Sequence, residues 1–318
     1  MISKQILDKA KTYFSLSLIT LVLLACDDEI TVDTGSSTPI LNIDAWVNDK
    51  SEEQYIYLTT TQDYFDDELP PVVSGAEVTI TDSEQNTFTF TEDTDSDEGA
   101  YVWVPDSTTS NLVVEGRTYT LSVIVDGEEF TSTSTAGRVP QVDSISIYLE
   151  VKEGRMKDEY IAEFWAVDPV GTGDTYWIKT YKNGTLLTKP SELNIAYDAS
   201  KNSGGLDGVT FISNVREGIN ANETDDDGFR SSPLTFLDSI YVEINSLTEA
   251  SFSYMSEVIT QTNKDGGISE LLTSSALANV SCNIYSTSEN GSVVVGFFNV
   301  STTSGLGKKF RTVSDLSP

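Results

Sequence analysis

Apolar and polar residues alternate with a period of two over most of this chain. Leu41, Ile43, Ala45 and Val47 alternate with more polar neighbours until Asn48-Asp49-Lys50 breaks the run. That is the pattern of a half-buried strand, whose successive side chains point to opposite faces. Tyr55–Leu58 predicts a second strand. Val78–Thr81 and Thr87–Thr91 flank a Ser83–Asn86 turn, and Tyr101–Val104 stops at Pro105. Thr118–Val125 and Glu129–Ser132 flank Asp126-Gly127, a strong hairpin signal because both turn residues tolerate positive φ. About seven short strands between residues 39 and 138 suit an immunoglobulin-like antiparallel β-sandwich.

Arg138-Val139-Pro140-Gln141-Val142 reads as a junction, since the residue before a proline is biased to an extended path. Beyond it, strand-like runs recur at Ile145–Tyr148, Tyr160–Val167, Thr175–Lys182, Ile240–Val242 and Ser292–Val300, with Asn183-Gly184 as a hairpin turn. One segment changes period. From Thr248 to Thr262 the apolar positions Ala250, Tyr254, Val258 and Ile259, with Met255 beside them, predict one face of a helix. Residues 196–233 are rich in Asn, Asp, Ser and Gly and predict loops with a strand at Val209–Ile212. The expected architecture is mainly β. It has an immunoglobulin-like sandwich over residues 39–140 and a second β-rich domain over 141–318 carrying a helix near 248–262.

The N-terminus follows another rule. Lys4, Lys9 and Lys11 precede an apolar run from Phe14 to Leu24, and Ala25-Cys26 follows. This run of eleven residues falls short of the roughly 20 needed to span a bilayer. A positive region, a short apolar region and a small residue before the cut describe a secretory signal peptide over residues 1–25. Cleavage before a cysteine resembles the lipobox of bacterial lipoproteins, which predicts acylation of Cys26. Several acyl chains hold a protein on a membrane stably where one does not. Asp27-Asp28-Glu29 follows at once, and residues 26–38 read as a tether, the segment Thr31 to Pro39 being rich in Thr, Gly, Ser and Pro. The acidic cluster is either a solvated linker or a sorting signal that directs export to the outer face of the outer membrane.

Composition narrows the chemistry. Acidic residues outnumber basic ones 50 to 19, for a formal charge of −31, so nucleic acid is not an expected partner. The chain contains no histidine, which removes Ser-His-Asp and Cys-His catalysis and the commonest zinc ligand. With Cys26 committed to lipid, Cys282 has no partner in the chain for a disulfide and is expected to be a buried, inert thiol. Two loops invite a weak calcium reading. Asp93, Asp95, Asp97 and Glu98 precede Gly99, and Glu223, Asp225 and Asp227 precede Gly228. Neither carries the closing glutamate, Leu234 standing at that position in the second, and solvated acidic turns are the simpler account. Trp46, Tyr64, Phe65, Trp103, Trp165 and Trp177 are candidate contact residues, although most aromatics are expected in cores. No local signature selects a carboxylate pair for a glycosidase.

Several phrases together resemble one family. They are the lipobox with its acidic follow-on, Leu41–Val47, Asp63-Tyr64-Phe65, Val73–Ile80, Gly116–Leu121, Pro140–Ile145 and Gly291–Phe298. The chain is similar over nearly all of its mature length to a family of Bacteroidota outer-membrane lipoproteins, domain of unknown function 4249. The resemblance implies a surface lipoprotein encoded beside a TonB-dependent receptor, with no catalytic residues to carry over. The expected function is therefore a non-enzymatic accessory or cargo-binding partner of such a receptor, without cofactor beyond the acyl lipid on Cys26. A self-standing adhesion or envelope-structural protein and a carboxylate-dependent hydrolase are the alternatives.

Overall fold

The computed structural model describes residues 38–63, 66, 68–152, 158–202, 205–225, 229–262 and 279–311. The signal segment with Cys26, Asp27, Asp28 and Glu29, the Tyr64-Phe65 pair, and Asp227-Gly228 of the second acidic loop lie outside the described residues.

Seven strands come first: β1 Leu41–Asn48, β2 Gln54–Thr60, β3 Glu77–Asp82, β4 Thr87–Glu92, β5 Ala100–Trp103, β6 Thr118–Val125 and β7 Glu128–Thr135. Then come β8 Ser144–Glu150, β9 Glu159–Trp165, β10 Thr175–Lys182, β11 Thr185–Leu186, a 3-10 turn at Pro190–Glu192, β12 Asn194–Tyr197 and helix α1 Ser213–Arg216. The remaining elements are β13 Ser239–Leu247, helix α2 Glu249–Thr262, β14 Tyr285–Ser286, β15 Val294–Ser301 and β16 Thr303–Lys309. The chain is mainly β, as its alternation predicts.

The first seven strands fall where the period-two runs place them, but they do not form two separate sheets. They belong to one nine-stranded sheet, ordered β14-β7-β6-β3-β4-β5-β2-β1-β15. The sheet turns over on itself through β4, whose residues Thr87–Phe90 pair with β3 while Thr91 and Glu92 pair with β5. Its inward positions make a continuous core that includes Ile43, Ile56, Leu58, Ile80, Tyr119, Leu121 and Phe298, each fully buried. The type I′ geometry expected of Asp126-Gly127 is present, with φ of 52° and 83°.

The sheet is not confined to residues before 140. β15 runs parallel to β1, from Leu41 opposite Val294 to Asn48 opposite Ser301. Gly296 permits this approach, since its φ is +109° and a Cβ there would overlap the Ile43 backbone. The outer edge of β15 is closed by side chains. Asn283 Nδ2 donates to Phe298 O and its Oδ1 accepts from Phe298 N, both at 2.8 Å, while Val300 N donates to Ser134 Oγ at 3.1 Å. Side-chain amides and hydroxyls thus satisfy main-chain groups that an edge strand would otherwise leave open.

After Ser301 the chain crosses into a five-stranded sheet, where β11-β10-β13-β16 are neighbours in that order and β12 pairs with β10. This sheet and the β8–β9 hairpin enclose a second core that includes Phe164, Tyr176, Phe211, Val242, Ile244 and Phe310. The crossing point is a buried polar knot. Ser246 N donates to Thr302 O, Thr302 N to Ser246 Oγ, and Thr302 Oγ1 to Gly137 O at 2.6 Å.

Three expectations change here. Val209–Ile212 forms no strand: Thr210 makes one isolated bridge to Val167, and α1 begins at Ser213. α2 lies where the periodicity places it, capped by Thr248 Oγ1 accepting from Ser251 N, but its most buried residues are Ser251 and Met255, and Ala250 is exposed. Ser251 donates to Asn299 Oδ1 at 2.7 Å, a polar anchor beside the predicted stripe, of which Tyr254, Met255 and Ile259 pack inward. Cys282 is exposed rather than buried, and it precedes β14 instead of lying in a strand.

Candidate functional site

The outward faces of the two sheets meet in a small aromatic core. Trp46 on β1 lies edge-on to Trp177 on β10, with ring centroids 5.8 Å apart, and stacks on Phe297 of β15 at 5.9 Å. Tyr254 of α2 packs on Phe297 at 4.5 Å, and Met255, Ile195 and Leu247 complete the cluster. Two of the six aromatic residues singled out from sequence, Trp46 and Trp177, are therefore brought together. Trp103 fills the first core against Phe88. Trp165 lies apart on β9, with the Arg216 guanidinium 4.2 Å from its ring.

Beyond Trp46 the two sheets diverge into a groove of ≈680 Å³. One wall comes from β1, β2 and the loop between them, the other from β10 and β13. Alternation decides what each wall presents. Ile56 and Leu58 point into the first core, so Tyr55 and Tyr57 point out; Ile178 and Val242 point into the second, so Lys179, Tyr181 and Glu243 point into the groove. The Tyr55 and Tyr57 rings are nearly parallel, 15° apart in plane, with centroids 6.3 Å apart. Across the groove Tyr181 packs on Tyr241. Tyr241 in turn lies over Gly305 of β16, where a Cβ would strike its hydroxyl.

The loop that carries Lys50 is braced from within and without. Asn48 N donates to Gln54 Oε1 and Lys50 N to Asn48 Oδ1. Thr303 Oγ1 donates to Asp49 Oδ1 at 2.7 Å. Lys50 Nζ then bridges Glu52 at 2.9 Å and Glu243 at 3.1 Å. Burial works against the Lys50 charge, but these two carboxylates outweigh it and raise the ammonium above its ordinary pKa. Lys179 differs. It makes no ion pair among the described residues, lies 4.3 Å over the Trp177 ring, and has its pKa lowered by burial, with the Glu243 charge opposing. The Tyr55 hydroxyl donates a hydrogen bond to the Glu53 carboxylate, which holds that phenol up at about 12.

A second cluster lies in the loops around β10. Carboxylate oxygens of Asp168, Asp174 and Asp198 all lie within 4.8 Å of one another, and Asp168 and Asp198 are buried. Oxygen donors in this number suit a hard cation, yet each already has protein partners. Asp174 takes Arg138 in a forked pair, Asp168 accepts from Tyr176 and Gly208 N, and Asp198 accepts from Gly173 N and Asp174 N. The cluster fastens loops. The carboxylates of the Asp93–Gly99 loop are not brought together in this way; Asp93 Oδ1 instead accepts from Asp95 N. In the second acidic loop Asp225 accepts from Phe229 N, and Leu234 is buried in the second core.

A family model described as a domain of unknown function (DUF4249) matches residues 27–305. The chain belongs to the DUF4249 family. No curated protein matches the sequence. The match takes in β1 to β15 and the start of β16, and therefore every residue lining the groove. Among the described residues of this DUF4249 chain, no helix is long and apolar enough to cross a membrane.

Sequence reasoning missed Lys50, Glu52, Tyr55, Tyr57, Lys179, Tyr181 and Glu243 as one site. The available signal was the placing of tyrosines on the outward positions of two strands, where solvent-facing residues are usually smaller or charged.

Proposed function

We propose that this DUF4249 chain is a surface-exposed outer-membrane lipoprotein, held by acyl chains on Cys26, that serves a TonB-dependent receptor as a non-enzymatic cargo-binding accessory. The groove carries the cargo-binding part of this reading. It is concave and aromatic-walled, its polar groups converge, and its ≈680 Å³ falls in the range of small-ligand sites. The short apolar run ending at Ala25, and Asp27-Asp28-Glu29 after the cysteine, support the anchor and its outward direction. A binding role rather than hydrolysis is favoured by Glu52 and Glu243, two carboxylates of the groove lining, because both are engaged by Lys50.

The test is affinity purification of the tagged protein from native membranes in mild detergent. A TonB-dependent receptor should copurify, and its absence overturns the partnership. Cys26→Ala should abolish acyl labelling and release the protein from the membrane fraction. Replacement of Asp27, Asp28 and Glu29 by Ser should protect the protein from protease added to intact cells.

A further inference from the structure

We infer that the groove between β1–β2 and β10–β13 is a binding site for a neutral oligosaccharide. The inference rests on the cargo-binding part of the proposed function and names the chemical class of the cargo.

Three observations converge on it. The first is the wall. Tyr55, Tyr57 and Tyr181 are half-buried, so each keeps ring surface open to the groove, and the Tyr55 and Tyr57 rings run nearly parallel along β2. Flat apolar surfaces in series, each with a hydroxyl at its tip, suit successive sugar rings, whose C–H faces are apolar and whose rims are polar. The polar groups between them alternate in kind. Glu52, Glu53 and Glu243 carry acceptor oxygens, and Lys179 donates from a position without an ion pair among the described residues. Sugar hydroxyls, which donate and accept at adjacent carbons, answer such an array.

The second observation excludes strand addition by an extended peptide. β1 pairs with β2 and β15, β2 with β1 and β5, β10 with β13 and with β11 and β12, and β13 with β10 and β16. No strand lining the groove offers a free edge, so a peptide backbone would find no ladder to join. Recognition here falls to side chains.

The third is charge. The lining holds Glu52, Glu53 and Glu243 against Lys50 and Lys179, within a chain of formal charge −31. That field repels sulfated or uronate-rich polymers and leaves neutral sugars unaffected.

The full-length chain in a non-glycosidic detergent is titrated calorimetrically with neutral hexose and pentose oligosaccharides, their uronate-containing counterparts, and acidic and basic peptides. Binding of at least one neutral oligosaccharide is expected, with affinity nearly constant between about 50 and 500 mM salt. Tyr57→Ala should weaken it about tenfold, Tyr57→Phe should restore most of it, and Lys179→Met should weaken it several-fold. Tyr285→Ala, on exposed β14 away from the groove, should leave affinity unchanged. Thermal unfolding of each variant separates lost binding from lost fold. The inference is overturned if no neutral oligosaccharide binds, if only uronates or peptides bind, or if a folded Tyr57→Ala protein binds as the native chain does. Copurification of the receptor with Tyr57→Ala distinguishes the two failures: the receptor partnership stands or falls on that measurement, and the sugar site on the titration.

Discussion

The nine-stranded sheet encloses aliphatic and aromatic side chains almost throughout, and Gln54, Asp82, Ser132 and Ser134 are the polar residues it buries between β1 and β7. The region from β8 to β13 buries Glu159, Glu163, Asp168, Glu192, Asn194, Asp198, Asn220 and Glu243. The contrast follows from the connections. β3 to β4 and β6 to β7 are joined by short turns, so neighbouring strands satisfy one another's main chain. Between β11 and β13 the chain runs for about fifty residues with little regular structure, and its buried main chain must find side chains. Asn220 pairs with both Ala162 N and Ala162 O, Asn194 donates to Val215 O, and Arg216 reaches Phe211 O and Glu163 together. One region is held by packing, the other by buried polar bonds that double as packing.

The sharpest way to break the comparison is one substitution in each region. Phe298→Ala removes a fully buried ring from the first core and should cost about 3–5 kcal/mol in urea unfolding, with little dependence on salt. Arg216→Met should cost about 3 kcal/mol, because it leaves the Glu163 carboxylate buried without its 2.5 Å partner. Adding Glu163→Gln to Arg216→Met should recover part of that loss. A double-mutant cycle showing simple additivity would mean that packing, not charge, holds the second region.

Asp82 and Asp168 sharpen the contrast through pH. Burial would raise the Asp82 pKa, but Asn86 and Arg117 outweigh it and hold the carboxyl below the usual range. Its stabilisation is present above the unfolded value near 4 and lost as pH falls through the lower folded value. Asp168 shows the reverse: burial pushes it up against hydrogen bonds from Tyr176 and Gly208, so acidification first relieves it. Urea unfolding from pH 6 to pH 3 should therefore show a late acid loss that Asp82→Asn diminishes, at a cost of about 1–3 kcal/mol at neutral pH. Asn220→Ala, which strands the main chain of Ala162, should cost about 2 kcal/mol. Smallest of all, Glu98→Gln on the exposed acidic loop should change stability by less than about 0.5 kcal/mol.

The same contrast explains what the sequence reveals. β1 to β7 were legible because each inward run is short, alternating and bounded by turn residues such as Asp126-Gly127. β10 was legible for the same reason, and Asn183 takes the positive φ its turn requires. β16 was not. Thr303-Ser304-Gly305-Leu306-Gly307-Lys308-Lys309 has Thr303 as its one β-branched residue beside two glycines and is held by pairing with β13. The face of α2 was legible at Tyr254, Met255 and Ile259, but not at Ser251, a polar residue that is its buried anchor. The groove escaped because its walls come from residues 46–57, 179–181 and 243, each an outward position in its own strand. Only the meeting of two sheets makes those positions one surface. The acyl and sorting residues, Cys26 to Glu29, rest on sequence alone.

The parallel pairing of β1 with β15 has a consequence for the order of events during folding. β1 is among the first strands to be synthesised, yet the neighbour that covers its outer edge lies some 250 residues later. Until that segment arrives, the N-terminal sheet exposes a strand edge bearing Leu41, Ile43, Ala45 and Val47. Such long-range pairings slow folding and leave sticky edges in the interim. The export proposed for this chain would be helped by a core that cannot close before these late residues are present. The same late strand continues into the second sheet, so a single segment completes the first core and sets the groove walls in place.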